Sequence, residues 1–134
     1  MFTKYPGKLF LMGEFAIMEK GSVSVVSAVE HFLNIELSED QDYSIVSSHG
    51  KLKGNEVFTN KIMPHVHASL KVLNDLIDFK PFKMVITSEL EVNGNKVGFG
   101  SSGVVIVGVL DSLLRFHNVT LSKIQLFKLA CLVQ

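Results

Sequence analysis

At 134 residues, 47% hydrophobic and 19% charged, the chain has the composition of one globular domain and is too apolar for a disordered segment. Thirteen basic residues balance thirteen acidic ones, so no electrostatic reason exists to expect nucleic acid or an anionic membrane as partner. The lone cysteine, Cys131, excludes an internal disulfide and suits a reducing, cytoplasmic setting, where it is expected as a small buried residue on a helix. Leu9 to Met12 is too short for a signal-peptide core, and the apolar run Val104 to Leu110 stops at Asp111, too short to span a bilayer.

Met1 to Tyr5 suits an edge strand, and Pro6-Gly7 predicts a turn into a second short strand, Lys8 to Met12. Lys8 is then expected at a strand start. Glu14 follows that strand directly, where a carboxylate reaches a pocket at the sheet's end; the alternative for Lys8 and Glu14 is a solvated surface pair. Gly21 marks the next turn. Two strands are expected over Ser22–Val29 and His31–Leu37, the second with Leu33, Ile35 and Leu37 inward and Asn34 and Glu36 outward. Ser38 to Asp42 is a polar turn, Tyr43 to Ser48 a strand, and His49 to Asn55 a loop or small hairpin.

A helix begins near Pro64, which a first turn tolerates, with Val66, Leu70, Leu73 and Ile77 on its buried face and Asp78 to Pro81 ending it. His65 and His67 stand two apart and point to different faces, which argues against shared metal ligation. Phe82 to Thr87 is another strand, and Asn93-Gly94-Asn95 a turn.

Lys96-Val97-Gly98-Phe99-Gly100-Ser101-Ser102-Gly103 then opens an apolar helix expected to run from Ser102 to about Phe116. Such a turn can aim several N–H groups into one concavity, and the helix adds unpaired donors and the positive end of its dipole, so the chemistry it suits is phosphate binding. A serine hydroxyl there can ligate Mg²⁺, a hard cation that keeps most of its waters. Gly98, Gly100 and Gly103 spell the dinucleotide fingerprint, but the turn at Asn93 separates them from the preceding strand and no acidic residue follows near Asn118. The protein-kinase loop would need a following V-A-I-K strand, and Walker A a Lys-Ser or Lys-Thr after the last glycine; both are missing. A turn that only packs a helix onto a sheet is the remaining alternative, against which Lys96 and the serine pair argue.

The helix is apolar nearly all round, so it should be central and buried to its first turn. His117-Asn118-Val119 breaks it. Thr120 is expected to cap a last helix, Leu121 to Gln134, with Leu121, Ile124, Phe127 and Cys131 or Ala130 inward. No end signal closes that helix, so the sequence reads as the front part of a longer protein. Strands followed by helices give α+β, a mixed sheet with helices on one face.

Two stretches together carry a family likeness. Pro6-Gly7-Lys8-Leu9-Phe10-Leu11-Met12-Gly13-Glu14-Phe15-Ala16-Ile17-Met18-Glu19 resembles the opening motif of the GHMP small-molecule kinases, and Gly98-Phe99-Gly100-Ser101-Ser102-Gly103 resembles their second, phosphate-binding motif. The final helix also falls where the family has one, so the likeness runs over most of the chain. It implies a ribosomal protein S5 domain 2-like N-terminal domain, incomplete at Gln134, with the family's third glycine motif and catalytic acid beyond that residue. Phe15 and Lys96-Val97 are similar to the bacterial branch acting on 5-phosphomevalonate. That implies transfer of the ATP γ-phosphoryl group to this acceptor, giving 5-diphosphomevalonate for isoprenoid synthesis, with ATP and Mg²⁺ as cofactors and a fragment inactive on its own. By motif position, Lys96 and Gly98, Gly100, Ser101, Ser102 and Gly103 would hold the triphosphate. Ser102 would contact Mg²⁺, Lys8 would neutralise the acceptor phosphate or the transferring group, and Glu14 would orient Lys8 or the substrate. The alternatives are mevalonate kinase or homoserine kinase of the same family, and a nucleotide-binding domain without catalysis.

Overall fold

Period-two alternation over residues 33 to 37 builds a strand with one apolar face, and that face finds its partner in a layer of helices. The computed structural model describes residues 1–134. Strands β1 (Phe2–Met12), β2 (Val25–Glu39), β3 (Ser44–Ser47), β4 (Gly50–Lys53) and β5 (Phe82–Ser88) form one sheet in the order β1-β2-β5-β3-β4. Only the β3/β5 pairing is parallel, so the sheet is mixed. Helices α1 (Glu56–Thr59), α2 (Pro64–Asn74), α3 (Ser101–Phe116) and α4 (Lys123–Val133) complete an α+β domain.

Leu33, Ile35, Leu37, Ile45, Phe82 and Met84 leave the sheet toward the helices and are fully buried, as are Leu73, Val109, Leu110 and Leu113 from α2 and α3. The expected inward trio on β2 is thus the centre of the core. Helix α3 lies closest to the sheet because Gly108 has no side chain: a Cβ there would meet Ile35, Leu33 and Tyr5, each at 3.1 Å. Tyr5 then reaches across the helix and donates its hydroxyl to Asp111 Oδ2 at 2.7 Å.

The local expectations fail at several places, for identifiable reasons. Pro6-Gly7 is a register irregularity within one continuous edge strand, since an edge position has no ladder partner to lose to proline. Lys8 therefore sits mid-strand. The two strands expected over residues 22 to 37 are likewise one, β2, which pairs with both β1 and β5. Helix α2 ends at Asn74, leaving Ile77 beyond it, and α1 carries too short a pattern to be seen in advance.

Ser122, not Thr120, caps α4: its side chain accepts from Gln125 N while Gln125 Oε1 accepts from Ser122 N, a full capping box. The helix turns Leu129 inward, with Leu126, Ala130 and Val133 beside it, whereas Ile124 and Phe127 are each 67% exposed. Cys131, expected inside, shares the face of Phe127 and is exposed with it.

Candidate nucleotide-phosphate site at the amino end of α3

Asn93 and Gly94 both have positive φ (52° and 76°), the requirement of a two-residue hairpin turn, and join β6 (Glu91–Val92) to β7 (Asn95–Lys96). The hairpin delivers Lys96 to the start of the glycine loop. Gly100, at φ 71° and ψ 34°, is the N-cap of α3, a left-handed conformation that suits glycine. No side chain caps the helix. Only Val104 N among the first-turn amides has a partner, Gly100 O at 3.1 Å; the N–H groups of Ser101, Ser102 and Gly103 donate to no protein acceptor. The first turn is half-exposed rather than buried, because the helix end opens into a cleft. Uncapped amides at an open helix end are donors of the kind that hold anions.

Cations converge there from two elements. Lys96 Nζ lies 3.5 Å from Ser102 Oγ. Lys8 comes from β1, and its backbone N donates to Phe99 O at 2.9 Å, which ties the strand to the glycine loop. Its aliphatic stem lies across the N-cap: a Cβ on Gly100 would stand 2.7 Å from Lys8 Cε. The Lys8 ammonium sits 4.1 Å from the centre of the Phe10 ring.

Five of the expected site residues, Lys8, Lys96, Gly100, Ser101 and Ser102, are thus brought together, with Gly98 and Gly103 in the same loop and first turn. Glu14 is different. It is exposed in the turn after β1 and forms no ion pair with Lys8; the ion pairs present are Lys80–Glu39 and Arg115–Asp111. An orienting role through a salt bridge to Lys8 is therefore absent from this geometry.

A cleft of about 220 Å³ opens beside Ser101 and Ser102. Ile62, Met63, Ile86 and Val105 give it apolar walls, and Ser88, Glu91 and Lys96 polar ones. Sequence reading missed this cleft because part of its wall, Ile62 and Met63, comes from the 60–63 connection, which has no periodic signal. It also missed Phe10, for which the i, i+2 spacing from Lys8 on a strand was an available cue.

For Mg²⁺ the donors fit: Ser102 offers a hydroxyl oxygen in a half-exposed first turn, next to amides that favour phosphate, and a hard cation needs few protein ligands there. When bound, Mg²⁺ would be held by Ser102 and would supply positive charge against the phosphates.

The family described as GHMP kinases N terminal domain matches residues 64–134, more than half of the chain. The chain belongs to the GHMP kinases. A phosphomevalonate kinase of Streptomyces sp. (strain CL190) is 26% identical over 95% of this chain and 41% of its own length. A mevalonate kinase of Saccharolobus solfataricus is 27% identical over 96% of this chain and 42% of its own. Among solved structures, the Streptococcus pneumoniae phosphomevalonate kinase in complex with phosphomevalonate and AMPPNP is 27% identical, with a TM-score of 0.87 over 99% of this chain and 42% of that one. The chain therefore spans about two fifths of the length of these GHMP relatives.

Proposed function

We propose that this chain supplies the ATP-phosphate site of a GHMP kinase that transfers the γ-phosphoryl group of ATP to 5-phosphomevalonate, giving 5-diphosphomevalonate and ADP. The observation that carries the reading is the stem of Lys8 crossing the open amino end of α3 at Gly100. Phosphoryl transfer between two anions depends on positioned positive charge and N–H dipoles more than on covalent work by the protein. The free amides of Ser101, Ser102 and Gly103 serve the triphosphate, Lys96 adds charge on the cleft side, and Lys8 adds it on the β1 side. Base and sugar occupy the apolar cleft between Ile62, Met63, Ile86 and Val105. Ser102 Oγ is the protein's ligand to Mg²⁺. Mevalonate is the competing acceptor, favoured by the nearly equal identity to a mevalonate kinase.

Calorimetry with AMPPNP and Mg²⁺ tests the nucleotide half. Saturable binding is expected, and at a hundredfold excess over Kd the ligand should stabilise the fold by about 2.7 kcal/mol. The acceptor half is tested by titrating 5-phosphomevalonate, mevalonate and homoserine into the AMPPNP-loaded chain. Binding of 5-phosphomevalonate alone, lost in Lys8→Ala, supports the proposal; preference for mevalonate reassigns the acceptor, and no nucleotide binding refutes the site.

A further inference from the structure

Lys8 is the one cation at the helix end whose head group is held by an aromatic ring. Its ammonium stands 4.1 Å from the centroid of Phe10, two residues along the same strand and on the same face. No carboxylate pairs with it. The two ways of fixing a lysine differ in consequence: a carboxylate cancels the charge toward an incoming phosphate, whereas a ring quadrupole holds the cation electrostatically without cancelling it. The stem is fixed as well, lying in the space left open by Gly100, where a Cβ would approach Lys8 Cε at 2.7 Å and Cγ at 3.2 Å.

The geometry points to Phe10 as a positioning residue: it holds the Lys8 ammonium, un-neutralised, at the amino end of α3 for an incoming phosphoryl group, an inference that rests on the ATP-phosphate reading above. A free lysine would lose the rotamer freedom of its long side chain each time phosphate binds. Phe10 and Gly100 remove much of that loss beforehand. The ring covers one side of the ammonium and leaves its other N–H donors for phosphate oxygens, so ring and ligand act together rather than compete.

The test is calorimetry of AMPPNP with Mg²⁺, and of adenosine as a phosphate-free control, on the wild-type chain and on Phe10→Leu, Phe10→Tyr, Lys8→Met and the Phe10→Leu/Lys8→Met double variant. Phe10→Leu should weaken AMPPNP about three- to tenfold, the scale of a partly desolvated cation–π contact, with adenosine affinity unchanged. Phe10→Tyr should restore wild-type affinity, and Phe10→Leu should cost nothing further once Lys8 is methionine. Pentafluorophenylalanine at position 10 keeps the shape and reverses the quadrupole, and should reproduce the leucine loss even if the leucine variant folds poorly. Unchanged or tighter AMPPNP binding, a parallel loss of adenosine, or losses that add in the double variant would overturn the role of Phe10. A wild-type chain that binds neither ligand would instead overturn the nucleotide reading beneath it.

Discussion

At Gly100, backbone conformation and ligand chemistry meet in one residue. Alanine there must adopt φ near 71° and place its methyl against the Lys8 stem, so Gly100→Ala should cost about 1–2 kcal/mol from backbone strain alone and weaken AMPPNP as Lys8 is displaced. Gly103 is the control. It lies in regular helix, and an alanine methyl there would have no neighbouring atom within 4 Å, so Gly103→Ala should stabilise the fold by up to about 1 kcal/mol. Urea denaturation of both variants checks the opposite signs. Tyr5 gives a pH signature. Burial first, and among the other raising causes the carboxylate of Asp111, push its hydroxyl well above the ordinary tyrosine value. The fold therefore binds this proton more tightly than the unfolded chain does, and the contribution is present below about pH 10 and lost as pH rises beyond it. Alkaline titration followed by circular dichroism should show that loss in the wild type and a shallower one in Tyr5→Phe, which itself costs about 1–2 kcal/mol near neutrality.

In helix α4 the buried face lies two residues along from the expected one. Ser122 caps the helix, Leu129 falls against the core and Phe127 faces outward, where the pattern read from Leu121 places Phe127 inside. Ser122→Ala should lower stability by about 1 kcal/mol, and Thr120→Ala should leave the melting temperature nearly unchanged. The strongly periodic pieces were legible beforehand: the inward trio of β2, the face of α2 and the body of α3 carry their burial pattern in sequence. Strand continuity was not legible at Pro6-Gly7, because whether such a pair turns or bulges depends on β2 lying alongside. In the site, glycines, serines and Lys96 lie close together in sequence and could be read as a unit. The approach of Lys8 to Gly100 spans the whole sheet-to-helix topology, and the motif resemblance anticipated it where local pattern could not. The exposure of Glu14 emerges only in three dimensions, and the hold of Phe10 on Lys8 had no cue in the sequence beyond their i, i+2 spacing.

For the whole molecule, the balance of charges at the site separates binding from turnover. Free amides and two lysines gather at the amino end of α3, the groups that the proposed polyphosphate binding calls on. Transfer asks for more, because the acceptor oxygen must also be oriented in line with the γ-phosphorus, a task that kinases give to a carboxylate in the pocket. Here the one carboxylate lining the cleft, Glu91, stands opposite Lys96 in the hairpin, and Glu14 is exposed and unpaired with Lys8. The 134-residue chain, about two fifths the length of its GHMP relatives, is therefore expected to bind AMPPNP yet release no ADP above background with ATP and 5-phosphomevalonate. A coupled ADP-release assay run beside the calorimetry checks this: ordinary turnover by the chain alone would show that an acceptor-orienting group is already present among these residues, with Glu91→Gln and Glu14→Gln the variants to locate it.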